Sequence, residues 1–172
     1  MIKKSKKITS LIIVLLLLLN IYFIYIINKV NKETKSLKHN MLARSDIEMD
    51  NALKNISTLN DKWEEISDAE KVKYLERANT NLILAMELMS RADKFFLPVK
   101  TYRDGVYILE EKIINNIDEN TQKEYIKGLE SDFRVLSIFI TNNFIVSDIK
   151  KEEANKKWKD EVKYLKTKEV KY

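Results

Sequence analysis

Hydrophobic residues are distributed along this 172-residue chain in two different ways. Near the N-terminus they run together: Leu11-Ile-Ile-Val-Leu-Leu-Leu-Leu-Leu19, then Asn20, then Ile21-Tyr-Phe-Ile-Tyr-Ile-Ile27. Beyond residue 40 they recur in steps of three and four, the mark of helices with one apolar face. Leu42, Met49, Leu53, Ile56, Leu59, Trp63 and Ile66 form the first stripe. Ser67-Asp-Ala-Glu70 then reads as a capping box, the serine accepting from backbone amides and the glutamate reaching back. A second stripe follows, Leu75, Ala78, Leu82, Met86, Met89, Ala92 and Phe96, with Pro98 closing it.

A third stripe comprises Tyr102, Val106, Leu109, Ile113 and Ile117, ending at the polar break Asp118-Glu-Asn-Thr121. Thr121-Gln-Lys-Glu124 reads as a second capping box, ahead of Ile126, Leu129, Phe133, Leu136 and Ile140. Phe144-Ile-Val146 fits either a helix or an extended segment, and Ser147 is placed to cap a last helix through Ala154, Trp158, Val162 and Leu165. Lys166 to Tyr172 carry too little apolar content to be held firmly. Glycine occurs only at residues 105 and 128 and proline only at 98, which favours long helices over a turn-rich β fold. The predicted architecture is all-α: one N-terminal transmembrane helix followed by an antiparallel bundle of four to five helices. Its expected parts are a basic tail (1–7), a signal anchor (8–28), a stalk and first bundle helix (29–66), and the remaining bundle (67–172).

The apolar run is long enough to matter on its own. Ile8 to Ile27 are 20 residues, which as a helix span about 30 Å of hydrocarbon. Leu11, Leu15, Leu19, Ile24 and Ile27 mark the span from end to end. Fourteen positions in its two runs, 11–19 and 21–27, are Leu, Ile, Val or Phe, contributing roughly −4 to −8 kcal/mol to insertion. That outweighs Asn20 even at the cost of a central charge, about +3.5 kcal/mol. A cleaved signal peptide would have a shorter apolar core and a small-residue cleavage site; here Asn28-Lys-Val-Asn-Lys-Glu-Thr-Lys follows. An uncleaved anchor is the expectation.

Charge sharpens this picture. Residues 1–29 hold Lys3, Lys4, Lys6, Lys7 and Lys29 and no acid, so the other 26 basic residues balance the 26 acidic ones. The net +5 therefore belongs to the flanks of the span, and the neutral remainder lacks the one-sided field of a nucleic-acid binder. Lys32, Lys35 and Lys38 with Lys29 match the four lysines before the span in number. Their dense packing in the first seven residues favours a cytoplasmic N-terminus with the bundle outside.

Candidate chemistry is sparse. The absence of cysteine removes disulfides, thiolate metal sites, cysteine nucleophiles and cysteine-borne lipid anchors. His39 has only Glu33, Lys35 and Asn40 nearby in sequence, which is no ligand set. The acidic groups Asp46/Glu48/Asp50, Glu64/Glu65/Asp68, Glu110/Glu111 and Glu152/Glu153 lack the glycine and closing glutamate of a calcium loop, and read as solvated helix faces. No phosphate-binding glycine loop, nucleophile elbow or histidine triad is encoded. The expectation is a non-enzyme without cofactor, nucleic-acid partner or small-molecule ligand, with a membrane and a protein partner or second copy as its contacts.

The interface candidates are Asn20 for a contact within the membrane, Trp63 and Trp158 as anchors, and the patch Phe95, Phe96 and Tyr102 around Leu97-Pro98. For the tryptophans, core packing is the competing reading. In layout, a basic tail and one membrane helix ahead of a helical region, the chain resembles bitopic coiled-coil proteins of the cell-division machinery and membrane-anchored spore germination proteins. That resemblance implies an extracytoplasmic interaction role and transfers no site residue. The alternative is a sensor or ligand-binding bundle acting through a partner subunit, which a pocket lined by Met86, Met89 and aromatics would favour.

Overall fold

The computed structural model describes residues 2–167, with side chains placed for 13–163 and 165–167. The side chain of Leu11 and the segment 168–172 lie outside the described residues. All described secondary structure is helical: α1 (Ile2–Asp61), α2 (Asp68–Arg91), α3 (Leu97–Ile114), α4 (Glu119–Ile140) and α5 (Lys151–Glu161), with a π-helical turn (Thr141–Val146) and a 3₁₀ turn (Val162–Tyr164). The chain divides into two units, 1–37 and 38–172.

In the first unit, α1 carries the apolar run. Its large apolar side chains from Ile13 to Ile27 are between 44% and 63% exposed, apart from the half-buried Ile26. The stretch is long and apolar enough to cross a membrane, with a mean hydropathy of 2.2 over its most apolar window.

The second unit is an up-down-up-down bundle, and inter-helix pairs fix its directions. Phe96 stacks on Phe139 and Tyr102 on Phe133, so α3 and α4 run antiparallel. Asp46 meets Thr141 while Ser57 and Asn60 meet Glu130, which sets α1 antiparallel to α4. Lys38 pairs with Asp93 and Asn55 with Asn81, so α1 and α2 are antiparallel as well. Leu42, Met49, Ile56, Leu59, Leu75, Leu82, Met89, Val106, Leu109, Ile113 and every residue of the fourth stripe are buried in one core. Ile117, expected to end the third stripe inward, is 44% exposed because α3 stops at Ile114 and the chain has already turned.

With glycine so scarce, other residues stop the helices. Asp93 and Asn116 adopt left-handed backbone (φ 59° and 48°) just beyond α2 and α3. Lys94 N–H then returns to the Met89 carbonyl and Ile117 N–H to that of Lys112, the double closure of a Schellman motif. Asp and Asn bear this conformation better than other residues with a Cβ.

Three local expectations need correction. The Ser67–Glu70 capping box forms as read, but Thr121 is no cap: Asp118 caps α4, accepting from Thr121 N–H at 2.9 Å. An aspartate three residues earlier is the better acceptor for the same orphan amides. Pro98 does not close α2, which ends at Arg91; it lies in the first turn of α3, where its missing N–H costs nothing. Ser147 does not cap α5, whose N-cap is Lys150.

The C-terminal segment is packed. Phe144, Ala154, Trp158 and Leu165 are all buried. Lys166 and Thr167, expected to be loosely held, donate their backbone N–H groups to the two carboxylate oxygens of buried Asp132 at 2.7 and 2.6 Å. Gly128 permits the close approach, since a Cβ there would meet Thr167 Oγ1 at 3.0 Å.

Candidate functional site

Four of the six interface candidates have their side chains in the core. Trp63 follows α1 in the turn to α2, 1% exposed, with Lys71 Nζ 4.5 Å above its ring. Lys71 is itself buried and paired with Asp68 at 3.0 Å and Glu119 at 3.7 Å, so this ammonium ties the turn to α2 and α4. Tyr102 stacks on Phe133 at 5.4 Å with its hydroxyl unbonded. Burial, and then the nearby Asp132 carboxylate, push the Tyr102 phenol far above its ordinary pKa. It stays protonated throughout the accessible range.

Phe96 and Trp158 meet at the end of the bundle that holds Lys38 and Asp93. Phe96 sits against Phe139 (5.5 Å), Phe144 (5.3 Å) and Trp158 (5.6 Å), an aromatic cluster built from α3, α4, the π-turn and α5. Asn20 is separate from all of these, exposed on the apolar part of α1, where its amide donates to the Leu16 carbonyl at 2.9 Å.

Phe95 is the candidate placed at the surface, and it leads to a groove of 460 Å³ between the start of α3 and α5. One wall is Phe95, Leu97, Pro98 and Thr101; the other is Lys151, Asn155, Trp158 and Lys159. The α5 residues follow helical spacing, so one face of that helix lines the groove. Lys151 Nζ lies 5.8 Å from the Phe95 ring centroid, within cation–π range. Thr101 Oγ1 already donates to the Pro98 carbonyl, while the Asn155 amide has no hydrogen-bond partner among the described residues. The sequence pointed to Phe95 and to Trp158 separately; it gave no signal that they share a site, because they are 63 positions apart.

The acidic clusters are partly structural. Glu130 of α4 accepts from Ser57 Oγ (2.9 Å) and Asn60 Nδ2 (2.8 Å) of α1 and from Arg134 (2.6 Å). Burial alone would raise its pKa, but Arg134, Ser57 and Asn60 together hold the carboxyl below the usual range. Glu48 accepts from Asn81 at 2.7 Å, and Glu64 pairs with Lys123. Among the described residues, no three His, Asp or Glu side chains converge as a metal site. The chain matches no family model, no curated protein and no solved structure.

Proposed function

We propose that this chain is a bitopic membrane protein whose helical bundle, outside the cytoplasm, acts as a structural or interaction component of the cell envelope. The observation that carries this reading is the exposed apolar sleeve of α1 from Ile13 to Ile27. Water would not tolerate a continuous apolar surface of that length on a folded monomer, whereas a bilayer covers it at no cost. The lysines before and after the sleeve suit headgroup regions on both sides. Among the four lysines of the first seven residues and those that follow, the denser N-terminal set supports a cytoplasmic N-terminus.

The bundle supports the interaction half of the reading through the aromatic-walled groove described above, whose rim is basic. The alternative, a ligand-binding or sensory bundle signalling through a partner subunit, drew its expected pocket around Met86 and Met89. Met89 is fully buried and Met86 packs against the same core, so those residues give it no support. The test is chemical crosslinking in native membranes followed by mass spectrometry. Crosslinks from bundle residues to another envelope protein are expected; a chain recovered only as an uncrosslinked monomer would refute the interaction role.

A further inference from the structure

The groove between α3 and α5 has a charge imbalance that its own fold does not resolve. Four lysines at this end of the bundle and on α5 are neutralised: Lys38 by Asp93, Lys94 by Asp148, Lys100 by Asp104 and Lys157 by Glu153. Lys151 and Lys159, like Lys150 and Lys156 nearby, have no carboxylate partner among the described residues, and Lys151 and Lys159 are the two that line the groove. No acid lines it. Between the two ammonium groups lie the indole of Trp158 and the free amide of Asn155, facing Phe95, Leu97 and Pro98. Leu97 is 53% exposed, so the apolar wall is only partly covered.

We propose that this groove binds an acidic segment of a partner protein. An apolar side chain of that segment sits against Phe95, Leu97, Pro98 and Trp158, and two of its carboxylates pair with Lys151 and Lys159. The inference rests on the interaction reading above and names its partner's chemistry. The apolar wall and the Asn155 amide beside the two lysines favour a peptide, which has side chains and backbone groups to meet them, over a lipid headgroup, which has charge alone. Lys151 and Lys159 are eight residues apart on one helix, hence about 12 Å apart along its axis. An extended peptide rises about 3.3 Å per residue, so carboxylates three or four residues apart span that distance with an apolar residue between them. The volume of 460 Å³ falls in the range of binding clefts, about 300–1,000 Å³. Asn155 supplies the donor and acceptor that a peptide backbone requires.

The test is a random peptide display library panned on the full chain in phosphatidylcholine nanodiscs, and in parallel on the Lys151→Glu/Lys159→Glu variant. Both lysines are exposed, and an unchanged thermal melt confirms that the variant folds. The expected pool is enriched in segments with two acids bracketing an apolar or aromatic residue. Synthetic members of that pool bind at least tenfold more weakly to the charge-reversed variant, and as weakly again to wild type when their acids become amides. Identical pools from the two proteins, an enriched pool without acids, or no enrichment would each overturn the proposal. So would lysine-dependent capture of phosphatidylglycerol liposomes without peptide enrichment, which assigns the groove to a lipid surface. Self-association lost on charge reversal without peptide enrichment assigns it to a second copy, with the same consequence. Partner crosslinks in native membranes that map elsewhere on the bundle would leave the interaction role standing and remove only this site.

Discussion

Replacing Asp132 by alanine should release the C-terminal segment while leaving the bundle folded. Asp132 is 1% exposed and accepts from the backbone amides of Lys166 and Thr167. A hydrogen bond to a charged group contributes about 1.5–3 kcal/mol, so stranding both amides in place would cost roughly 3–6 kcal/mol. Detachment is cheaper. It exposes Leu165, 2% exposed in the fold, at about 1.5–3 kcal/mol. It also regains backbone entropy of about 1–2 kcal/mol per freed residue. Loss of both hydrogen bonds and of the Leu165 burial, set against the entropy regained over residues 165–167, lowers global stability by only about 1–3 kcal/mol while the segment comes free. Hydrogen exchange read by mass spectrometry on the full chain in detergent distinguishes the two. Amides at 165–167 should lose nearly all protection in Asp132→Ala, and those of α4 from Leu129 to Leu136 should keep theirs. Asp132→Asn should be intermediate, because its amide accepts one of the two N–H groups and turns a donor toward the other. Unchanged protection at 165–167 in the alanine variant would refute the reasoning.

Other substitutions test the remaining joints. Phe96→Ala removes the centre of the aromatic cluster and should cost about 3–5 kcal/mol, read as a lowered urea midpoint; a loss under 1 kcal/mol would mean that the cluster is not packed as described. Ser67→Ala breaks the capping box of α2 and should cost about 0.5–2 kcal/mol by the same assay. Glu130→Gln tests the sign of a pKa shift. A carboxyl held low in the fold stabilises it above the unfolded pKa and loses that contribution as pH falls through the folded value. The variant should therefore melt below wild type at neutral pH and converge with it in acid; a constant difference would show that Glu130 acts only through shape.

Much of the bundle was legible because its signals are local. The fourth stripe, Ile126 to Ile140, is wholly buried as its periodicity predicts, and the Ser67 capping box needs only four adjacent residues. What sequence could not order was competition between neighbouring signals of equal quality: Asp118 against Thr121 as the cap of α4, and Pro98 as an end of α2 against a beginning of α3. Helix stops were hidden for another reason. Glycine is the usual signal for a left-handed stop, and here Asp93 and Asn116 serve, residues common enough elsewhere on the chain to carry no warning. The hold on Lys166 and Thr167 is made through their backbone amides, so nothing in their side chains announces it. The groove joins Phe95 to Trp158, far apart in sequence, and only the folded chain brings them together.

The central claim is that the apolar run of α1 ending at Ile27 crosses a bilayer and leaves the bundle outside the cytoplasm. The chain contains no cysteine, so a single Lys73→Cys substitution, at an exposed position of α2, places one thiol on the bundle. Intact cells are treated with a membrane-impermeant maleimide, and their membranes are then washed with alkaline carbonate. The account predicts a labelled protein that stays in the membrane pellet. Labelling only after the cells are opened would contradict the orientation, and release into the carbonate wash would contradict the anchor itself.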